Sequence, residues 1–247
     1  MALPEFRPPL IAHRGASASA PENTLAAIRL AREEGATWTE FDVKLTEDGV
    51  PILMHDDTLD RTTRGNGPVA TAPWVYIQTL DAGGWFDKKF KNERVPHLAE
   101  ALRCVLDCGL QLNLEIKPCP GRAQATAMVG LIETAKLWPH DKPPPLISSF
   151  DEEALATAAQ LHPSWPRSLA FEEWREDWRE VAARLGAKAL TIDASLLMSE
   201  RLPILAKSGL AILAFTVNDP TRAKELLSQG VSAVFCDNPK DMIRQLK

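Results

Sequence analysis

The sequence predicts an α/β protein of the (β/α)8 TIM-barrel class, with an extra antiparallel hairpin strand and a small insertion after it. Two observations carry that expectation. Eight short apolar runs alternate with eight segments of helical spacing, which is the pattern of a parallel sheet wrapped by helices, and the 247 residues suit a barrel of about 250.

The first strand is PLIAH (9–13), followed by helical spacing over 22–35. TWTEFDV (37–43) is second; its helix, HLAEALRCVLDCG (97–109), comes only after a long excursion. LQLNLEI (110–116), PLISSF (145–150), RSLAF (167–171), KALTID (188–193), LAILAFTV (210–217) and SAVFCD (232–237) complete the eight. Their helices are expected at 123–137, 151–161, 176–186, 199–209, 219–230 and 238–247. Asp219 with Pro220 is an N-terminal signal and Gly230 a stop. A doubly wound open sheet is the alternative architecture, since a sequence does not display closure, although no GxGxxG follows the first strand.

One strand-like run is left over. VPILMH (50–55) follows an Asp48-Gly49 turn, so it should fold back antiparallel on the second strand. Centring the turn there sets His55 opposite Asp42. The stretch from 56 to about 96 is too long for an ordinary βα loop. It reads as a lid-like insertion within a single domain spanning 1–247.

Composition narrows the function classes. The formal charge of −5, from 28 basic and 33 acidic residues, argues against a general nucleic-acid binder. Cys104, Cys108, Cys119 and Cys236 are too sparse for a disulfide scaffold and lack paired metal-ligand spacing; Cys104 and Cys108 read as helix packing. No apolar run approaches the 18 or so residues of a membrane span, and the start lacks a signal-peptide pattern. A cytoplasmic protein without stable membrane insertion is expected. An aromatic content of 6% offers no interface patch from which to read an oligomeric state.

In such a barrel the active site lies at the carboxyl ends of the strands. There the first strand presents His13 and Arg14, the second Glu40 and Asp42, the third Glu115 and Lys117, and the hairpin strand His55. Three carboxylates facing one enclosed space repel unless a cation holds them, and an all-oxygen set suits Mg²⁺, Ca²⁺ or Mn²⁺ better than zinc. Arg14 and Lys117 beside the cation make a mouth for a phosphate. His13 and His55 can then exchange protons with attacking and leaving oxygens. Phosphodiester cleavage uses all of these parts. His97, His140 and His162 read as structural, Arg61 and Arg64 of DRTTRG as charge on the insertion's surface, and Asn23 as a helix N-cap.

The same residues sit in motifs that resemble the glycerophosphodiester phosphodiesterases: AHRGASASAPENTLAA, EFDVKLTEDGVPILMHDDTLDRTT, DAGGWF with VPHLAEAL, LNLEIKP, FTVN and VFCDNP, in the family's order. The resemblance implies a cytoplasmic barrel enzyme that uses one divalent cation. It would hydrolyse small-molecule deacylated phospholipids, such as glycerophosphocholine or glycerophosphoethanolamine, to sn-glycerol 3-phosphate and an alcohol. It puts the metal on Glu40, Asp42 and Glu115, acid/base roles on His13 and His55, and phosphate binding on Arg14 and Lys117. Phe215 stands where many relatives have Trp and would face the glycerol carbons. His13 is assigned as base and His55 as acid, with the reverse open. The nucleophile is either water or the neighbouring glycerol hydroxyl. Action on intact lipids in the manner of a lysophospholipase D, and a catalytically silent phosphate-ligand binding module, are the alternatives.

Overall fold

The computed structural model describes residue 3 and residues 5–246. Met1, Ala2, Pro4 of the Pro-rich opening, and Lys247 at the end of the last expected helix lie outside them. Among the described residues there are nine strands: β1 (Leu10–Ala12), β2 (Trp38–Leu45), β3 (Pro51–Leu53), β4 (Gln111–Ile116), β5 (Leu146–Ser149), β6 (Arg167–Phe171), β7 (Ala189–Asp193), β8 (Ala211–Phe215) and β9 (Ala233–Cys236). All pairings but one are parallel, in the order β1-β9-β8-β7-β6-β5-β4-β2, and Ala12 pairs with Thr39 to join β1 to β2. That contact closes an eight-stranded barrel and excludes the open doubly wound sheet. The exception, β3, lies antiparallel outside β2.

The hairpin register differs by one residue from the expectation. Val43 pairs with Leu53, and the Met54 N–H donates to the Asp42 carbonyl at 3.1 Å, so His55 sits one residue past the position opposite Asp42. The cause is a loop of three residues instead of two. The Thr46 N–H meets the Val50 carbonyl, and Gly49 takes the left-handed conformation at φ 79° that such a loop requires.

Nine helices surround the sheet among the described residues: α1 (Leu25–Glu33), α2 (Trp74–Ile77), α3 (Leu98–Asp107), α4 (Ala123–Leu137), α5 (Glu152–Leu161), α6 (Trp178–Leu185), α7 (Leu202–Ala206), α8 (Pro220–Ser228) and α9 (Pro239–Leu246). Their ends obey local chemistry. The side chains of Asp151 and Asp219 accept the first free N–H groups of α5 and α8, and His97 forms a reciprocal cap with Glu100 on α3. Spacing places Leu98, Ala101, Leu102 and Val105 of α3 on one fully buried face. Shortening one of these leucines to Ala should cost about 2–5 kcal/mol. Cys104 packs in this core and Cys108 at its margin, and all four cysteines are free thiols.

The barrel interior is layered. Ile11, Trp38, Leu146, Ala189, Leu213, Ala233 and Phe235 form an apolar floor, with the Phe6 ring packed at a tilt against Trp38, centroids 4.6 Å apart. Above it the lining turns polar: the Asn113 amide donates to Ser148 at 2.8 Å, and Ser168 and Thr191 share a 2.7 Å hydrogen bond. The apolar-polar alternation of LNLEIK is therefore an outside-inside alternation, with Asn113 and Glu115 turned into the barrel. The stretch after β3 gathers a second apolar cluster of Ile52, Met54, Leu59, Val69, Ile77, Leu80, Val95 and Cys119. Buried Lys44 of β2 reaches Asp57 at 2.7 Å and ties this cluster to the barrel rim. No helix of the described residues is long and apolar enough to cross a membrane.

Candidate active site

A cavity of about 330 Å³ opens at the carboxyl ends of the strands. Its wall contains His13, Arg14, Glu40, Asp42, His55, Glu115, Lys117 and Phe215, which is every site residue expected from the sequence. Parity explains the convergence. Residues two apart on a strand share a face, so Glu40 and Asp42 of β2 point inward together, and Asp42 lies in register with Glu115 on neighbouring β4.

The three carboxylates are almost sealed from solvent, with Glu40 and Asp42 at 1% exposure. Each offers an oxygen, and these oxygens lie within 4.8 Å of one another. Burial, with Asp42 and Glu115 beside it, pushes the Glu40 carboxyl well above its ordinary range. Burial and Asp42 likewise raise Glu115 to about 7, against the pull of Lys117. Asp42 is held below its usual value: burial opposes ionisation there, but Arg14, His55, Lys117 and the Asn23 amide outweigh it.

Arg14 enters the site by an unusual turn. Its backbone is left-handed, at φ 56°, and its N–H donates to Glu40 Oε2 at 2.8 Å. Gly15 follows at φ 81°, where any Cβ would lie 2.6 Å from the Ala27 backbone, so glycine is required. The Arg14 guanidinium donates to Glu22 Oε1 at 2.7 Å, while its Nε lies 3.5 Å from Asp42 Oδ2 without forming a hydrogen bond. Lys117 Nζ is 3.1 Å from Glu115 Oε1, yet the alignment leaves that oxygen without a donor. The ammonium also stands over the Phe150 ring at 4.6 Å, and Phe150 meets Phe215 edge-on at 5.6 Å.

Each histidine is oriented by a carboxylate. His13 Nδ1 meets Asp237 Oδ1 at 2.8 Å, and Asp237 also accepts from Ser17 and Asn218. Burial alone would raise the Asp237 carboxyl, but these three donors bring it down to about 2. His55 Nδ1 meets Asp56 Oδ1 at 2.8 Å. Since an ionised carboxylate only accepts, both rings carry Nδ1–H and leave Nε2 as their free nitrogen. Burial lowers the His55 pKa, assisted by Arg14 and Lys117 and opposed by Asp42 and Asp56.

One expectation about the site needs correction. Asn23 is not the helix cap: Thr24 Oγ1 accepts from the Ala27 N–H, whereas buried Asn23 donates to Asp42 Oδ2 at 2.8 Å and accepts from the Asp42 N–H at 3.2 Å. Arg61 is exposed charge on the insertion's surface, as expected, and is paired there between Glu22 and Asp56. Sequence reasoning also missed Asp237, Glu172, Asp193 and Phe150, although each sits at or just past the carboxyl end of a strand and that position was the available signal. His97, His140 and His162 stay outside the cavity wall, as expected.

Comparison with known proteins agrees with this geometry. The sequence profile of the glycerophosphoryl diester phosphodiesterase family matches residues 13–241. A glycerophosphodiester phosphodiesterase of Caldanaerobacter subterraneus subsp. tengcongensis is 32% identical over 242 residues, covering 96% of this chain and 97% of the relative. A phosphodiesterase of Oleispira antarctica, solved in complex with the product sn-glycerol-3-phosphate, superposes with a TM-score of 0.93 at 38% identity, over 99% of this chain and 97% of that one. A glycerophosphodiester phosphodiesterase of Agrobacterium tumefaciens gives 0.78 at 31% identity, over 95% and 98%. A barrel whose carboxylates, basic residues and histidines meet at one rim, matched by relatives along nearly its whole length, belongs to the glycerophosphoryl diester phosphodiesterase family of phosphoric diester hydrolases.

Proposed function

We propose that this chain hydrolyses glycerophosphodiesters, such as glycerophosphocholine and glycerophosphoethanolamine, to sn-glycerol 3-phosphate and an alcohol, with one divalent cation and two histidines. One observation carries the reading. Of the four buried polar atoms without hydrogen-bond partners among the described residues, three belong to the cavity wall: the acceptors Glu40 Oε1 and Glu115 Oε1, and the donor Arg14 Nε. Orphaned buried groups of both signs are costly in isolation. A cation among the carboxylates and an anionic oxygen beside Arg14 satisfy all of them. The product bound to the Oleispira antarctica relative supports the same substrate class.

Glu40, Asp42 and Glu115 fit the cation, and their all-oxygen chemistry suits Mg²⁺ or Ca²⁺, with Mn²⁺ also accommodated. The ion would supply Lewis-acid polarisation of the phosphoryl oxygens. Everything else falls to the chain's own side chains. Arg14 and Lys117 bind the phosphate and counter the charge that develops on it. Phe215, with Phe150 beside it, offers an apolar wall to the glycerol carbons. The histidines divide proton transfer: the neutral Nε2 of one takes a proton from the nucleophile, and the protonated Nε2 of the other delivers one to the departing alkoxide. Asp237 and Asp56 keep the two rings in the tautomer that each role requires.

The domain division that accompanies this reading is one barrel carrying a lid-like insertion over about 56–96, supported by that segment's separate apolar cluster. Four free cysteines fit a reducing, cytoplasmic setting.

The test is a phosphorus NMR time course with glycerophosphocholine, glycerophosphoethanolamine and a lysophospholipid. Conversion of the first two to sn-glycerol 3-phosphate is the expected result. Turnover of the lysophospholipid alone would replace this reading with a lysophospholipase D, and tight binding of sn-glycerol 3-phosphate without any turnover would replace it with a binding module. A transient cyclic glycerol phosphate under single-turnover conditions identifies the glycerol hydroxyl as nucleophile; its absence at all times counts against that route.

A further inference from the structure

Arg61 belongs to none of the parts above, yet it makes the densest set of charged contacts near the site. Its Nε donates to Asp56 Oδ2 at 2.7 Å and one terminal nitrogen donates to Asp56 Oδ1 at 2.9 Å. That nitrogen also donates to Glu22 Oε1 at 2.8 Å, and the other to Glu22 Oε2 at 2.6 Å. One guanidinium thus holds both oxygens of two carboxylates. Each carboxylate in turn holds a cavity residue: Asp56 accepts from His55 Nδ1, and Glu22 accepts from Arg14. The line runs Arg14, Glu22, Arg61, Asp56, His55, joining the loop after β1 to the segment after β3.

We infer that Arg61 is a positioning residue, which fixes the His55 ring and the Arg14 guanidinium relative to each other by clamping Asp56 and Glu22. This rests on the roles proposed above for those two side chains. Three considerations give the clamp its force. A planar guanidinium meeting carboxylates through paired N–H groups fixes direction as well as distance, which a lysine ammonium does not. The backbone under Arg61 is itself fixed, since the Thr63 hydroxyl and N–H both bond the Leu59 carbonyl and the Gly65 N–H bonds the Thr63 hydroxyl; Leu59 is fully buried in the insertion's apolar cluster. Finally, neither Glu22 nor Asp56 lines the cavity that holds the three carboxylates, although Glu22 borders the adjoining pocket beside His13 and Arg14. Their contacts to the site run through Arg14 and His55. The insertion, on this account, braces the site from the side.

The experiment compares wild type with Arg61→Met, which keeps the hydrocarbon stem, and Arg61→Lys, which keeps the charge but loses the two forks. Turnover of glycerophosphocholine should fall by about 10- to 100-fold in both, the usual size for loss of a group that orients another. The loss should lie mainly in kcat, and added guanidinium ions should restore part of the rate of Arg61→Met only. A readout independent of turnover is the downfield proton resonance of His55 Nδ1–H. Present in wild type because Asp56 is held, it should broaden or vanish in Arg61→Met while that of His13 persists. Unchanged kcat together with an unchanged His55 resonance in a folded Arg61→Met overturns the inference. A wild type that shows the resonance but hydrolyses no glycerophosphodiester overturns the proposed function and leaves the clamp standing as structure. Equal kcat in wild type and Arg61→Lys would reduce the role to charge.

Discussion

The two histidines stand across one cavity, and their supports are built from different materials. His13 is held from within the barrel: Asp237, just past β9, takes hydrogen bonds from Ser17 and from Asn218, which are neutral groups on loops at the strand ends. His55 is held from outside it, since Asp56 is gripped by a charged residue that arrives with the inserted segment. The first support is a by-product of closing the barrel, for its carboxylate and imidazole are 224 residues apart and meet only because β1 pairs with β9. The second is local in sequence and depends on the insertion keeping its own core. On the proposed roles, the barrel recruits one half of an acid/base pair from its closure and the other half from an addition to its rim.

Breaking the rings themselves should produce the largest effects. His13→Ala and His55→Ala should each lower kcat by about 10²- to 10⁴-fold without loss of fold, as checked by steady-state kinetics and circular dichroism. A glycerophosphodiester whose leaving group is 4-nitrophenol needs no general acid. It should restore most of the lost rate to one variant only, and that variant identifies the acid. Near wild-type turnover by either variant on glycerophosphocholine contradicts the pairing.

A smaller effect is expected one step back on the metal side. Asn23→Ala removes both hydrogen bonds that aim Asp42 and should weaken divalent-cation binding by about 10- to 100-fold, measured by calorimetric titration of Ca²⁺ or Mg²⁺. Unaltered affinity would contradict a role for Asn23 in aiming Asp42.

The barrel-side support carries a pH signature. Asp237 has its pKa depressed to about 2 in the folded chain, against about 3.9 for an unfolded aspartate. Below pH 4 the unfolded state takes up the proton first. The stabilisation is therefore complete above about pH 4 and is lost as pH falls toward 2, amounting to about 2 kcal/mol. Urea unfolding at pH 5 and pH 2 should show Asp237→Asn losing less stability over that interval than wild type, and equal losses would deny the linkage. Least affected should be Phe215→Leu, which keeps an apolar wall but not its aromatic face. A change in KM of about 2- to 10-fold with kcat unchanged is expected in the coupled assay.

How much of this was legible in the sequence follows from the range of each interaction. Alternation of strands and helices is local, so the barrel could be read, and the rim residues with it, because each sits at the end of a recognisable apolar run. What could not be read were partnerships set by closure or by loop conformation. Asn23 looked like a cap because it precedes a helix, and only the left-handed backbone at φ 55° turns it toward Asp42. The hairpin slipped by one because Asp48-Gly49 signals a tight turn regardless of whether the loop has two residues or three. Arg61 carried no helical or strand pattern at all, so its two partners were invisible until the chain was folded.

The dependence of turnover on a cation held by Glu40, Asp42 and Glu115 is the expectation with the widest consequences. Its most direct measurement is sn-glycerol 3-phosphate release from glycerophosphocholine after EDTA treatment, followed by return of Mg²⁺, Ca²⁺ or Mn²⁺, for wild type beside Glu115→Gln. Turnover abolished by EDTA and restored by an added cation in wild type, with Glu115→Gln needing far more of that cation, is the expected result. Full turnover in EDTA, or the same cation dependence in both proteins, would contradict it.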